Sequence, residues 1–110
     1  TWADVIFRDE LAGLARSHPR QLQVVHTLTR EASLPAGARA GRVSTALLRE
    51  CIPDPSGCWV YVCGPGISTF DRVAAKEAGR SPEPRFLETA VASLREIGVP
   101  AEQIKRESYG

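Results

Sequence analysis

Residues 61–66 read Tyr-Val-Cys-Gly-Pro-Gly, and they give the clearest indication of the fold. The run Cys58–Cys63 is nearly all apolar, which predicts a strand buried on both faces, as in a parallel sheet. A Gly-Pro-Gly turn ends this strand at once and leaves Cys63 as its last side chain. Ligands of open α/β sheets bind outside the carboxyl ends of the strands, so this edge is the first candidate site.

Helical and extended patterns alternate on both sides of this strand. Before it, the sequence predicts a helix that Thr1 caps and Pro19 ends, a strand over 22–28, a loop over 33–42 and a short helix that Ser44 caps. After it, the sequence predicts a helix over 67–78, an amphipathic helix over 85–98 and a strand over 104–108. This order predicts an α/β fold, a parallel sheet with flanking helices, with Trp2 and Trp59 in its core.

Chain length, net charge, apolar runs and cysteine spacing restrict the classes of protein to which this sequence could belong. The 110 residues suit one domain, and a net charge of +1 gives no reason to expect a nucleic-acid partner. No apolar run approaches the ~20 residues that span a bilayer, so no membrane partner is expected. Cys51, Cys58 and Cys63 lack the spacing of a disulfide framework or metal site, which favours reduced thiols in a cytoplasmic protein.

The residues alone leave the role of Cys63 open. Glycines after a strand let a planar or phosphorylated ligand approach the backbone, and a following helix N-terminus favours anions. An ordinary buried thiol before an ordinary turn explains the same residues equally well. His26 is expected to be a plain strand histidine, since no metal or nucleophile motif surrounds it.

Four segments taken in order resemble the nicotinamide-nucleotide domain of the ferredoxin–NADP⁺ reductase family of flavoproteins. They are Asp-Val-Ile-Phe-Arg-Asp-Glu-Leu (4–11), Val-Val-His-Thr-Leu-Thr-Arg-Glu (24–31) with Gly41-Arg42-Val43, Tyr-Val-Cys-Gly-Pro (61–65), and Glu107-Ser108-Tyr109. The resemblance covers most of the chain. It implies a Rossmann-like nucleotide-binding domain of the ferredoxin reductase type.

The resemblance also implies roles at the nicotinamide end. Cys63 would lie beside the nicotinamide ring and orient it for hydride transfer, not act as a nucleophile. Gly64 and Pro65 would let the ribose and pyrophosphate pass over bare backbone. Glu107 would be a polar partner near the nicotinamide, and Tyr109 a ring near the flavin.

At the adenosine end, the resemblance assigns Thr29 and Arg30. Many NADPH-using members place a Ser-Arg pair against the 2′-phosphate, and a hydroxyl followed by a guanidinium suits phosphate. No Asp or Glu stands at the strand end itself to bind the ribose 2′-hydroxyl of NADH, although Glu31 is one residue further on. Arg39 and Arg42 would join the same patch if the glycine-rich loop folds back. The coenzyme is therefore expected to be NADP(H) or NAD(H), with NADPH preferred.

The implied protein is an NAD(P)H-dependent reductase that passes a hydride to FAD or FMN and electrons onward to a ferredoxin-like or oxygenase acceptor. The family's first strand, its glycine-rich phosphate loop and its flavin barrel have no counterpart here. The chain over 1–110 is therefore expected to be the C-terminal part of the NAD(P)-binding domain. It is expected to be inactive alone, because FAD or FMN would be bound mainly by an N-terminal domain outside it. Residues 67–84 have no family counterpart and are read as an insertion.

Two alternatives belong to other classes. The first is a non-catalytic α/β interaction module that has kept the layer but binds no flavin. The second is an enzyme that uses Cys63 as a nucleophile, for which the sequence offers no neighbouring base.

Overall fold

The computed structural model describes residues 1–109. Its elements are α1 (Arg8–Ser17), β1 (Thr27–Leu28), β2 (Arg39–Ala40), α2 (Thr45–Cys51), β3 (Val60–Gly64), α3 (Thr69–Glu77), α4 (Phe86–Glu96) and β4 (Ile104–Ser108). The order is the predicted one with the short β2 added, and both strand pairs are parallel, which confirms the α/β class. Gly110, the last residue of the predicted range 1–110, lies outside the described residues.

The chain forms two compact units, and each has its own two-stranded sheet instead of a share in one continuous sheet. In the first unit, residues 1–42, Thr27 pairs with Arg39 and Leu28 with Ala40. In the second unit, which begins at Val43, the longer pair of β3 and β4 is in register over five residues of each strand.

The helix of the first unit begins later than the sequence predicts. Thr1 does donate to the Asp4 carboxylate, but the turn it closes is a short 3₁₀ helix, Trp2–Asp4. Phe7 then takes a left-handed backbone conformation with φ 56°, which breaks the helical path, so α1 starts only at Arg8.

The predicted strand over 22–28 is also shorter than expected. Only Thr27 and Leu28 have a strand partner, because β2 offers two residues for pairing. The segment before them makes no ladder within the part of the chain that the structure describes.

The second unit is built around α4, which packs on β3, β4 and α2. Its core consists of apolar side chains from these elements and from the turn after α4: Val62, Leu87, Ala90, Leu94 and Val99, flanked by Leu48, Ile52, Val60 and Ile104. Among the described residues, no member of 67–84 belongs to this cluster. The helix that packs on β3 is therefore α4, while α3 lies outside this cluster and buries only Ala75 among its residues.

The helix ends of this unit match their sequence signals. The Ser44 hydroxyl accepts a hydrogen bond from the Leu47 backbone N–H at 3.2 Å and caps α2 as predicted. Gly98 ends α4 with φ 103°, where its own N–H and that of Val99 donate to the last carbonyls of the helix.

The prediction that the strand over Cys58–Cys63, now β3, is buried on both faces is wrong. Val62 and Gly64 are buried against α4, but Tyr61 and Cys63 point away from it and are exposed, Tyr61 to 80%. Trp59 is 61% exposed and does not fill the core, and Trp2 is half-buried. Helix α4 covers one face of this two-stranded sheet, so the apolar residues of the other face remain on the surface.

Candidate functional site

The carboxyl ends of β3 and β4 bring two predicted site residues together. In the parallel register, Cys63 lies opposite Glu107 and Tyr61 lies opposite Lys105. Because side chains alternate along a strand, these four project from the same face of the sheet. All four are exposed, so the thiol and the carboxylate are neighbours on an open surface.

A cleft of about 410 Å³ lies over this face, and its lining includes Tyr61, Cys63, Lys105 and Glu107. The Lys105 ammonium lies 5.8 Å from the centre of the Trp59 ring, which is within the range of a cation–π contact. The face therefore offers flat aromatic surface with a carboxylate and an ammonium beside it. Such a surface is suited to a planar ring with polar substituents.

The pairing of the two strands continues one residue beyond β4. The Tyr109 backbone N–H donates to the Gly64 carbonyl at 3.2 Å. The Tyr109 side chain is 62% exposed. The structure thus places four predicted residues, Cys63, Gly64, Glu107 and Tyr109, at one end of one sheet.

The glycines of the Cys-Gly-Pro-Gly turn have a packing role that the sequence did not indicate. A Cβ atom on Gly64 would lie 2.2 Å from Cδ1 of the Phe86 ring, so only glycine fits beneath this ring. A Cβ atom on Gly66 would lie 3.2–3.3 Å from atoms of Leu87, Ser108 and Glu88. At both glycines, the space that a Cβ atom would need is therefore filled by protein atoms, mostly from the first turn of α4.

The first turn of α4 also forms hydrogen bonds with the Cys-Gly-Pro-Gly turn and with Ile67 directly after it. The Leu87 N–H donates to the Pro65 carbonyl at 3.0 Å. The Glu88 carboxylate accepts from the Ile67 N–H with one oxygen and from the Arg85 N–H with the other, each at 3.0 Å. The hydrogen bond from Ile67, followed by that from Arg85, holds the pKa of Glu88 below its ordinary value.

The expected anion site at the next helix N-terminus is not supported, because carboxylates already occupy both N-termini that follow the turn. Glu88 lies at that of α4, and Asp71 accepts from the backbone N–H and the hydroxyl of Ser68 at that of α3. Each carboxylate supplies the negative charge that a helix N-terminus favours. Both N-termini are therefore already capped by carboxylates of this chain.

The predicted insertion, residues 67–84, contains α3 and is attached to α4 by an ion pair. The Arg85 guanidinium donates to the Asp71 carboxylate at 2.7 Å, and this contact, followed by those from Ser68, holds the pKa of Asp71 well below its ordinary value. A cleft of about 390 Å³ between α3 and the following loop is lined in part by Phe70, Arg80 and Arg85. The insertion is thus fixed at the base of α4.

In the first unit, Thr29 and Arg30 directly follow β1 and are exposed. The loop does return beside them: the Arg39 N–H donates to the His26 carbonyl at 2.8 Å, and the Gly41 N–H to the Leu28 carbonyl at 2.9 Å. Because β1 and β2 are parallel, the residues after them, Arg30 and Arg42 included, lie at the same end of this sheet.

Glu31 has a different role from the two residues before it. One of its carboxylate oxygens accepts a hydrogen bond from the Trp2 N–H at 2.6 Å. The Trp2 ring meets His26 edge to face with 5.2 Å between the ring centres, so His26 packs inside the unit, although it lies just before β1 and not in the predicted strand. Because its carboxylate is engaged inside the unit, Glu31 is less available to a ribose hydroxyl.

Phe86 and Glu88 are the site residues that the sequence analysis missed. A signal was present, since a Glu three residues after a helix N-cap position is typical of a capping box. The N-cap residue here is Arg85, which is not among the usual capping residues, and this obscured the pattern.

Metal-ligand clusters and membrane-spanning helices are both absent from the described residues. Within residues 1–109, no group of three or more His, Cys, Asp or Glu side chains is arranged to hold a metal ion. No helix in that range has the length and apolar character that crossing a bilayer requires.

Comparison with known proteins identifies the family. The profile of the family described as oxidoreductase NAD-binding domain matches residues 1–71, well over half of the chain, and its match ends inside α3. The NADH-cytochrome b5 reductase-like protein alnC of Emericella nidulans is 35% identical over 66 residues, which are 59% of this chain but 14% of that protein. No solved structure matches the chain significantly. The chain therefore belongs to the oxidoreductase NAD-binding domain family, the nucleotide-binding domain of the ferredoxin–NADP⁺ reductase family that its motifs resemble.

Proposed function

We propose that this chain is the NAD(P)-binding part of a flavoprotein reductase, which moves a hydride from NAD(P)H to FAD or FMN. The reduced flavin would then pass electrons singly to a ferredoxin-like or oxygenase acceptor. The observation that carries the proposal is the pairing of Cys63 with Glu107 at the carboxyl ends of β3 and β4, with Tyr109 bonded to Gly64 beside them. The family match supports the nicotinamide nucleotide as the ligand.

The residues of the sheet end fit a nicotinamide ring. The flavin and the nicotinamide would supply the redox chemistry, and the protein would supply orientation. Cys63 is small, exposed and polarisable, so it allows a flat ring to approach the sheet closely. Glu107, next to it, can accept a hydrogen bond from a carboxamide N–H. Tyr109 would place its exposed ring against the flavin.

The edge of β3 that faces away from β4 has a place for another strand. Within residues 1–109, β3 pairs with no strand other than β4, and an apolar groove of about 220 Å³ beside it is lined by residues that include Val43, Leu48, Val60 and Phe86. We propose that the family's first strand lies along this edge and completes a Rossmann-like sheet. It would come from the same longer polypeptide, which would also carry the phosphate loop and the flavin barrel.

For the coenzyme, we propose a preference for NADPH. Thr29, Arg30 and Arg42 lie at one end of the small sheet, where they would surround a 2′-phosphate. Glu31, the one carboxylate close by in sequence, is occupied by the Trp2 N–H. The name of the curated relative specifies NADH, which makes NADH the competing outcome of the test.

The test is anaerobic reduction of the purified full-length protein. The proposal predicts a yellow protein whose flavin absorbance bleaches on mixing with NADPH in a stopped-flow spectrometer. A colourless protein that binds no flavin would instead favour a non-catalytic interaction module.

The structure does not favour a nucleophilic role for Cys63. Its partner across the strands is Glu107 and not the histidine that commonly activates a cysteine nucleophile. The unit that contains Cys63 has no histidine, because both histidines of the chain precede Val43.

A further inference from the structure

The Glu88 carboxylate connects α4 to the loop that follows Cys63. Glu88 is half-buried, and its two oxygens accept from two different backbone donors. One is the N–H of Ile67, directly after the Gly-Pro-Gly turn, and the other is the N–H of Arg85, at the start of α4. A single side chain thus fixes the far end of the turn to the helix.

The turn is also fixed at its other positions by residues next to Glu88. The Phe86 ring covers Gly64, and the Leu87 N–H bonds to the Pro65 carbonyl. The space beside Gly66 is occupied in part by a Glu88 oxygen, which a Cβ atom there would approach to 3.3 Å. Every residue from Gly64 to Ile67 is therefore in contact with the first turn of α4.

We propose that Glu88 is a positioning residue, which holds the turn so that Cys63 and the Gly64 carbonyl keep their places at the nicotinamide end. This proposal rests on the proposed function. A displaced turn would shift the end of β3 relative to Glu107 and to the N–H of Tyr109, which bonds to Gly64. Hydride transfer is sensitive to such shifts, whereas coenzyme affinity depends on many contacts elsewhere.

The charge of Glu88 contributes to the same role. It complements the positive end of the α4 dipole, and its pKa is lowered by its two backbone donors. The negative charge therefore strengthens the two hydrogen bonds by which Glu88 holds the turn to α4. Glutamine at this position would keep one acceptor oxygen but lose the charge and the second acceptor.

The test compares Glu88→Gln and Glu88→Ala in the full-length protein, with Glu77→Gln on the exposed side of α3 as the matched control. Two readouts are measured: hydrogen exchange of the Ile67 amide, and flavin reduction by NADPH as limiting rate and apparent Kd. We expect Glu88→Ala to exchange the Ile67 amide about tenfold faster, and Glu88→Gln to exchange it faster by a smaller factor, because glutamine keeps one acceptor oxygen. We expect the limiting rate to fall about tenfold while the Kd changes less than about twofold.

Three results would overturn the proposal. Unchanged Ile67 exchange would mean that the carboxylate does not hold the turn. Faster exchange with an unchanged limiting rate would make Glu88 a helix cap without a role at the nicotinamide end. A wild-type protein that fails to reduce flavin would refute the proposed function, and with it the positioning role, even if the exchange result is as expected. If Glu88→Ala does not fold, the nearly isosteric Glu88→Gln decides.

Discussion

The Arg85 guanidinium donates a hydrogen bond to the Asp71 carboxylate at 2.7 Å, and this contact joins the inserted helix α3 to the N-cap residue of α4. The same carboxylate accepts from the N–H and hydroxyl of Ser68, so it also caps its own helix. Residues 67–84, the predicted insertion, are therefore bound to the helix that supports the Cys-Gly-Pro-Gly turn.

This contact predicts an acid-sensitive insertion. The pKa of Asp71 is lowered in the folded state, first by Arg85 and then by Ser68, from an ordinary value of 3.8. A folded-state pKa below the unfolded one means that the stabilisation is complete above about pH 5 and is lost progressively as the pH falls further. The melting temperature of the chain should therefore be flat from pH 7 to about pH 5 and then decline.

Asp71→Asn should weaken that decline, because the asparagine cannot titrate. It should also lower the melting temperature at pH 7, where the wild-type carboxylate is fully charged. Glu77→Asn, on the same helix without these contacts, is the control. Identical pH profiles for wild type and Asp71→Asn would show that the Arg85 contact does not form in solution.

The thiol at the sheet end gives a second prediction. Cys63→Ala should slow flavin reduction in the full-length protein about tenfold, because the nicotinamide ring would lose the contact that is proposed to orient it. The flavin content should stay unchanged, since the thiol would not hold the flavin. Cys51→Ala, which removes another exposed thiol, is the control. An unaltered rate of flavin reduction in Cys63→Ala would show that Cys63 does not orient the nicotinamide ring.

The C-terminal residues give a third prediction, best tested by single substitutions. Deletion of residues 107–110 would also remove strand pairs that Glu107 and Ser108 form with β3. Tyr109→Ala keeps the backbone bond to Gly64 and removes only the exposed ring. We expect it to shift the visible spectrum of the flavin and to change the reduction rate. An unchanged spectrum in both Tyr109→Ala and Glu107→Gln would make the tail a plain edge strand.

The sequence was sufficient to predict those features that depend on local signals. The helix caps at Ser44 and Gly98 and the bounds of the last strand agree with the structure. The parallel pairing also agrees, because the alternation of helices and strands restricts the topology. The family was identified from short motifs, and the match over residues 1–71 confirms it.

The features that depend on partners distant in sequence could not be predicted. An apolar strand does not reveal how many of its faces a helix covers, so the exposure of Tyr61 and Trp59 was missed. The contact between Glu88 and Ile67 joins residues 21 positions apart. The left-handed Phe7 is equally hidden, since nothing in a bulky side chain indicates such a backbone.

The exposed face of α3 gives a fourth prediction. Phe70 and Val73 are 79% and 51% exposed, with Arg72 on the same helix and Arg80 just after it. Apolar surface flanked by basic groups suits an acidic electron acceptor, whose approach such charges steer. Arg72→Glu with Arg80→Glu should lower the rate of acceptor reduction and weaken its dependence on salt, while flavin reduction stays unchanged. If charge reversal at Arg49 on α2 has the same effect, the interaction is not specific to α3.

The last prediction concerns the coenzyme, and it follows from the end of β1. Arg30 is exposed directly after this strand, next to the Thr29 hydroxyl and at the same sheet end as Arg42. A charge-assisted hydrogen bond to phosphate contributes ~1.5–3 kcal/mol, or about ten- to a hundredfold in affinity. Arg30→Ala should therefore raise the KM for NADPH at least about tenfold and leave that for NADH nearly unchanged, because NADH has no 2′-phosphate to lose.

Arg20→Ala removes an exposed arginine from the turn after α1 and is the matched control. Arg42→Ala tests whether the returning loop contributes: a smaller loss confined to NADPH is expected, since the parallel register places Arg42 at the same end. Steady-state kinetics with NADPH and with NADH shows whether each loss is confined to NADPH. Equal losses for NADPH and NADH would mean that Arg30 contacts a group common to both. A wild-type preference for NADH would refute the assignment, because the hydroxyl and guanidinium after β1 would then have no phosphate to bind.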